Sequence, residues 1–238
     1  CIYCEVDLEA PVRASEVDLV QVCDELRAMI NLARDGGLAK EPKFDEVPEL
    51  TRIIRDIAFS GDGEPTMLHN FDEVVEAVAE VKREARLEDT KIVLITDAAG
   101  LDKASVRRGL EIMDANNGEV WAKLDAGTKE YFRQVNRTSV KFQRILGNLC
   151  TTAKARPILI QSLFLNIYGE SMSRQELETY CGRLNDITAA GGQIREVQAY
   201  TVARPAPETF ASRLTKEELG ELAKVIHEST GLKVETYD

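Results

Sequence analysis

The feature that most constrains this chain is a regular exchange of two patterns. Short apolar runs alternate with longer stretches whose apolar residues recur at helical spacing. "DIAFSGDGEP", "KIVLITD", "EVWAKLDAG", "PILIQSLFLNI", "QIREVQAYTV" and "KVETY" read as six strands. Leu19, Val22, Cys23, Leu26, Met29, Ile30 and Ala33 mark a first helix. Val74, Val75, Val78 and Val81 mark a second, and another is expected near Lys103 to Ala115. A broken helical region carries Tyr131, Phe132, Phe142, Ile145, Leu146 and Leu149. Leu177, Tyr180, Cys181, Leu184 and Ile187 share a further helical face. Ser15 to Asp18, Asn70 to Glu73, Ser173 to Glu176 and Thr215 to Glu218 are expected helix starts, and Gly36-Gly37 and Gly191-Gly192 are expected stops.

Strand followed by helix, repeated, implies an α/β fold with a parallel sheet and right-handed crossovers. An open Rossmann-like sheet and a barrel both satisfy that pattern. No internal repeat, low-complexity tract or linker interrupts it, so residues 1–238 read as one domain. In either architecture the loops at the carboxyl ends of the strands carry the chemistry. This directs attention to Gly61–Pro65, Thr96–Asp97, Asp125, Asn166 and Thr201–Arg204.

Charge excludes some functions. The net charge of -11 disfavours duplex DNA, because an acidic surface repels a phosphate backbone. No run of eighteen apolar residues predicts a membrane span. Five scattered cysteines in a chain of 238 residues do not resemble a secreted disulfide framework, which places the chain in a reducing cytoplasm. Cys23, Cys150 and Cys181 fall at apolar helical positions and are expected to be buried and inert.

Cys1 and Cys4 stand apart. A CxxC pair reads as half a zinc site, a redox pair or part of an iron–sulfur site. Zinc ordinarily requires a second pair or spaced histidines, and His69 and His227 are far apart in sequence. His227 is expected to be solvated, whereas His69 sits close to a glycine loop. That loop, "FSGDGEPT", combines Gly61 and Gly63, which permit backbone approach, with the carboxylates of Asp62 and Glu64. It lacks the GK[ST] ending of a phosphate loop. Spacing alone leaves the ligand of either stretch open.

Together the two stretches resemble the radical S-adenosylmethionine (SAM) superfamily, whose cluster motif is CxxxCx(aromatic)C. Cys1, Tyr3 and Cys4 match its second cysteine, its aromatic residue and its third cysteine. The first cysteine and the first barrel strand are then expected before Cys1, and without that cysteine the cluster is expected to bind poorly. "SGDGEP" matches the superfamily's GGE-type motif at the end of its second strand through Gly61, Gly63 and Glu64. "AKLDAGTKEYFRQVNR", "RIL" and "VQAYTVARPAPE" resemble the bacterial branch related to wyosine-type tRNA synthetases. Two positions depart from that branch. Asp97-Ala98 replaces an Asn-Gly, and Asn136-Arg137-Thr138 replaces an "NRP".

The resemblance implies a partial (β/α)6 TIM-type barrel with parallel strands, a 4Fe–4S cluster and SAM as cofactors. It implies Cys1 and Cys4 as cluster ligands and Tyr3 beside the adenine or the cluster. Gly61, Asp62, Gly63 and Glu64 would contact the SAM amino group. Lys123 and Asp125, two residues apart on one strand face, would bind the ribose or carboxylate of SAM, with a structural ion pair as the alternative. Gln161 and Gln198 are expected in the interior. Asn166, Tyr168 and Arg204 are substrate-side candidates. An electron donor such as flavodoxin or ferredoxin is expected, with an unknown substrate. A tRNA substrate stays open, with the acidic charge against it. The competing reading is a non-catalytic zinc-binding or scaffold domain that uses the same CxxC.

Overall fold

The computed structural model describes residues 1–4, 16–44, 46, 53–61 and 63–238. The strands are β1 (Asp56–Phe59), β2 (Lys91–Thr96), β3 (Gly118–Lys123), β4 (Ile158–Leu163), β5 (Asn166–Ile167), β6 (Ile194–Tyr200), β7 (Ala211–Ser212) and β8 (Val234–Tyr237). The helices are α1 (Leu19–Arg34), α2 (Phe71–Glu84), α3 (Ala104–Ala115), α4 (Lys129–Asn136), α5 (Phe142–Ala155), α6 (Arg174–Ala189) and α7 (Lys216–Thr230).

Six strands form one sheet in the order β1-β2-β3-β4-β6-β8. The pairs β1/β2, β3/β4, β4/β6 and β6/β8 are parallel. Each strand of the sheet lies beside its predecessor in sequence. A doubly wound sheet reverses its order at a switch point, whereas a (β/α) barrel does not. The connectivity is therefore that of a partial TIM-type barrel. β5 and β7 form a separate antiparallel pair. The run "PILIQSLFLNI" was expected to be one strand; it breaks after Leu163, and its last two residues pair elsewhere.

The chain divides into two compact units. One contains Pro11–Leu94 and Asp102–Glu119; the other contains Cys1–Ala10, Ile95–Leu101 and Val120–Asp238. They are called here the turn unit and the thiol unit.

In the turn unit α1 starts at Asp18, whose carboxylate accepts from the Val20 and Gln21 amides. Ser15, the other half of the expected cap, lies outside the described residues. Asn70 precedes α2 but does not cap it with its side chain. Its amide instead holds the backbone of Val17, with Nδ2 donating to the Val17 carbonyl at 3.1 Å. The core of this unit sets Phe71, Val74, Val75 and Val78 of α2 with Val106, Leu110 and Met113 of α3. A Cβ on Gly109 would stand 2.7 Å from the Phe71 ring, so the two helices approach through a missing side chain.

In the thiol unit the cap of α7 is complete: Glu218 N–H donates to Thr215 Oγ1 and Thr215 N–H donates to Glu218 Oε2. At α6 only half of the expected reciprocal cap forms. Ser173 Oγ accepts from Glu176 N–H, while Glu176 Oε1 turns to the amides of Gly127 (2.6 Å) and Thr128 (2.9 Å). A long-range demand has taken the glutamate, and the loop after β3 is fixed by it. Cys181 is buried, whereas Cys23 and Cys150 are half-buried, less enclosed than their helical spacing suggests. Among the described residues no helix is long and apolar enough to cross a membrane.

Candidate functional site

The Cys1–Cys4 segment is anchored by its middle residues. Ile2 is 1% exposed and packs with Val135, Leu163, Leu165, Ile167, Val202 and Ala211. Its amide donates to the Val135 carbonyl at 2.8 Å. The Cys4 amide returns to the Cys1 carbonyl at 3.3 Å, closing a turn. The residue between the cysteines is buried, while both cysteines are exposed and free of disulfides.

Tyr3 leads from this segment into a buried polar network centred on Asp125. The Tyr3 hydroxyl donates to Asp125 Oδ2 at 2.5 Å, and Asn136 Nδ2 donates to the same oxygen at 2.9 Å. Asp125 Oδ1 accepts from the Leu163 amide at 2.9 Å and lies 3.8 Å from the Lys123 ammonium. The Asp125 side chain is fully buried, so these donors replace its water shell. Lys123 also donates to the Tyr200 hydroxyl at 2.5 Å and lies 5.0 and 5.1 Å from the ring centres of Tyr3 and Tyr200.

This packing sets the protonation states. Burial pushes the Tyr3 phenol well above its ordinary range, and the Asp125 carboxylate adds to the effect. Burial acts to lower the Lys123 pKa, but Asp125 and then Tyr200 outweigh it, and the net shift is upward. Burial raises Tyr200 too, against the opposing effect of Lys123. The network thus holds neutral phenols around an ammonium–carboxylate pair. A small cavity of about 40 Å³ beside it is lined by Cys1, Asp97, Lys123, Asp125, Asn136 and Thr138 among others.

The loop that contributes Asp97 is itself strained. Ala98 has φ 66, with its amide on Thr96 Oγ1 at 3.0 Å and its carbonyl on Asn148 Nδ2 at 2.7 Å. This alanine occupies the position where the resembling branch carries glycine, and it keeps the left-handed backbone that glycine adopts freely.

The glycine–acid turn belongs to the turn unit and follows the carboxyl end of β1. Gly61 has φ 125, and nothing lies within 4 Å of where its Cβ would stand. Its backbone is therefore open to close approach. The Gly63 amide donates back to the Gly61 carbonyl at 2.8 Å. Glu64 Oε1 accepts from the Thr66 amide at 3.1 Å and the Thr66 hydroxyl at 2.6 Å, capping the short helical turn Pro65–Met67. Asp62 lies outside the described residues.

Other expected residues take structural or peripheral places. Gln161 Nε2 donates to Gln198 Oε1 at 2.9 Å across β4 and β6. Asn166 lies in β5 and Tyr168 follows it, largely exposed and stacked on Phe210 at 4.9 Å. Arg204 is exposed. His69 is exposed beside Glu16 at 4.0 Å, and His227 Nδ1 meets the Leu232 carbonyl. Sequence reasoning missed Asn136, Tyr200 and Glu176 as members of this region. Asn136 lay in a quoted motif, but nothing in its spacing pointed to Asp125 or Cys1.

The donor set suits a thiophilic group in part. Cys1 and Cys4 offer two exposed soft ligands on a hydrogen-bonded turn. The buried Oδ1 of Asn136 beside Cys1 has no hydrogen-bond partner. Among the described residues no three His, Cys, Asp or Glu side chains are grouped to hold a metal ion.

No protein-family model matches the sequence, and no curated protein matches it. Solved structures do. A structure of TYW1 with a lysine–pyruvate adduct bound aligns with a TM-score of 0.60 at 17% identity, over 98% of this chain and 70% of that one. A domain of a pyruvate-formate lyase-activating enzyme from Bacteroides vulgatus aligns with a TM-score of 0.56 at 13% identity, over 76% of this chain and 98% of that one. An archaeal TYW1 aligns with a TM-score of 0.54 at 13% identity, over 96% and 70%. At these identities the likeness is one of fold.

Proposed function

We propose that this chain is a radical SAM enzyme acting on a substrate still to be identified, with 1–238 serving as its catalytic domain. The observation that carries the reading is the CIYC segment. Its inner residues are locked into the core and the Asp125 network, and both cysteines stay exposed and free of disulfides, available as soft ligands.

In this reading Cys1 and Cys4 would be two of the thiolate ligands of a 4Fe–4S cluster. The cofactors, when bound, would supply reductive cleavage of SAM and hydrogen-atom abstraction from the substrate. The protein's own groups bind and orient. Gly61, whose backbone is open, with Gly63 and the acids Asp62 and Glu64, would receive the SAM amino group. Lys123 offers a cation for the SAM carboxylate, and Asp125 keeps that cation charged while fixing Tyr3. The neutral phenols of Tyr3 and Tyr200 sit over Lys123 and keep water from it. A flavodoxin- or ferredoxin-type protein delivers the electron, in the cytoplasm. The acidic surface favours a small or locally basic substrate over tRNA.

Anaerobic reconstitution with iron and sulfide tests this. Two forms are compared: the chain as it stands, and the same chain extended at its amino end by Cys-Xaa-Xaa-Xaa. The extended form is expected to gain 4Fe–4S absorbance and to release 5′-deoxyadenosine from SAM under dithionite. A folded extended chain that takes up zinc instead of iron, or that holds iron yet leaves SAM intact, would overturn the proposal.

A further inference from the structure

β5 runs into a two-residue turn, Tyr168-Gly169, closed by Ile167 and Glu170. The Ile167 amide donates to the Glu170 carbonyl at 2.8 Å, and the Glu170 amide returns to the Ile167 carbonyl at 3.1 Å. Tyr168 has φ 56 and Gly169 φ 82, the signs of a type I′ turn. Asparagine suits the first of these positions, whereas a tyrosine there carries backbone strain. The ring is kept in spite of that strain, and little of it is buried: Tyr168 is 77% exposed. Burial therefore does not explain the tyrosine, and the ring face itself is what this position offers.

The ring is nonetheless oriented. It stacks on Phe210 with centroids 4.9 Å apart and planes 20° apart, and the Tyr168 amide donates to the Phe210 carbonyl at 2.8 Å. The pair already takes one cation: the Arg137 guanidinium lies 5.7 Å from the Phe210 ring centre, with Glu208 as its ion-pair partner. Beside Tyr168 is a surface cleft of about 360 Å³, lined also by Tyr131, Gln134, Glu170, Ser171 and Ser173. Glu170 is the only charged residue of that lining. The basic residue nearest to it in sequence, Arg174, is paired with Glu178 at 2.9 Å.

An exposed π face beside one carboxylate suits an organic cation. The face attracts it through the ring quadrupole and the carboxylate through charge. An anion gains nothing there. A nucleic-acid strand would stack a base on Tyr168 only by bringing its phosphates to Glu170, on a chain of net charge -11. We propose that the Tyr168–Glu170 turn is a binding site for an organic cation, an alkylammonium or guanidinium group carried by a free amine or by a basic side chain of a protein partner. Tyr168 supplies the face, Glu170 the opposing charge, and Gln134 and Ser171 offer oxygens to the N–H groups.

The test uses the chain as it stands and needs no cofactor, so its outcome is independent of the radical SAM reading. Isotope-labelled protein is titrated in an NMR experiment with four probes. Agmatine is the free cation, and acetyl-Gly-Arg-Gly-amide carries the same guanidinium on a peptide. The citrulline form of that peptide is the neutral isostere, and hexathymidylate stands for a nucleic acid. Both guanidinium probes are expected to give saturable amide shifts centred on residues 167–173. Tighter binding of agmatine supports the site with a free amine as its ligand; tighter binding of the peptide supports it with a protein side chain. Tyr168→Asn is expected to weaken that binding about three- to fivefold while raising the melting temperature, because asparagine fits the turn. These opposite signs separate a binding role from a structural one. Glu170→Gln is expected to weaken binding about twofold or more. Absence of saturable shifts at the turn with both guanidinium probes, equal binding of the citrulline peptide, preferred binding of the oligonucleotide, or unchanged affinity in Tyr168→Asn would overturn the inference.

Discussion

Two regions of this molecule hold a short exposed segment in place by opposite means. In the thiol unit the Cys1–Cys4 segment is held from a distance. Ile2 enters a core built from residues 135 to 211, and Tyr3 bonds to Asp125, a residue far along the chain. In the turn unit the Gly61–Glu64 loop is held by its own neighbours: Gly63 bonds to Gly61, and Glu64 bonds to Thr66. The first arrangement makes geometry depend on tertiary packing and buried charge. The second makes it depend on backbone conformation and one cap. Substitutions should therefore have unequal effects in the two places.

The largest effect is expected at Asp125. Asp125→Ala leaves the Lys123 ammonium and three hydrogen-bond donors without their buried partner, and removing one member of a buried pair costs about 3–5 kcal/mol. Urea denaturation of the parent and variant measures this. A loss below about 1 kcal/mol, the scale of an exposed pair, would mean the network is not the anchor described here.

The alkaline limb of stability sharpens the contrast next. Tyr3 and Tyr200 have pKa values raised by burial, and Tyr131 is pushed up to about 12 by burial and the Glu176 charge. A raised folded-state pKa means that the native chain keeps protons the unfolded chain releases. The contribution is thus complete below the unfolded tyrosine value near 10 and declines as pH climbs through the folded values. Thermal melts between pH 8 and 12 should show stability falling above about pH 10. Tyr3→Phe should make that fall shallower while lowering stability at pH 8, through loss of the bond to Asp125. The Gly61–Glu64 turn contributes no phenol, so Glu64→Ala should leave the alkaline slope unchanged.

Smaller effects belong to the local loop. Glu64→Ala removes a cap and should cost about 1 kcal/mol, read as a shift in the urea midpoint. Ala98→Gly should act in the opposite direction. Relieving a left-handed alanine gains about 1–2 kcal/mol, less about 0.5–1 kcal/mol for the freer unfolded glycine. A slightly raised melting temperature is the expected result, and a lowered one would mean that the Ala98 methyl group has packing value that outweighs its backbone strain.

The same division separates what could be read from residues alone. The strands from Asp56, Lys91 and Ile194 and the helices from Leu19, Phe71 and Lys216 follow from local apolar period and caps, and they form where expected. Lys123 and Asp125 were paired from their two-residue spacing, and they do stand together. Asn70 and Glu176 carried capping signatures, but their side chains serve distant backbone at Val17, Gly127 and Thr128. Asn136 and Tyr200 had no local signature at all.

Sequence by itself determined the alternation of elements, the apolar faces, and the presence of two cysteines and a glycine–acid turn, because these depend on period and composition over a few residues. Only the tertiary structure decided that the sheet runs in unreversed order and that Asp125 gathers Tyr3, Lys123, Asn136 and the Leu163 amide around one carboxylate. The reason is physical. A buried charge must be satisfied by whichever donors the fold brings to it, and those donors lie up to 122 positions away, beyond the reach of any local rule.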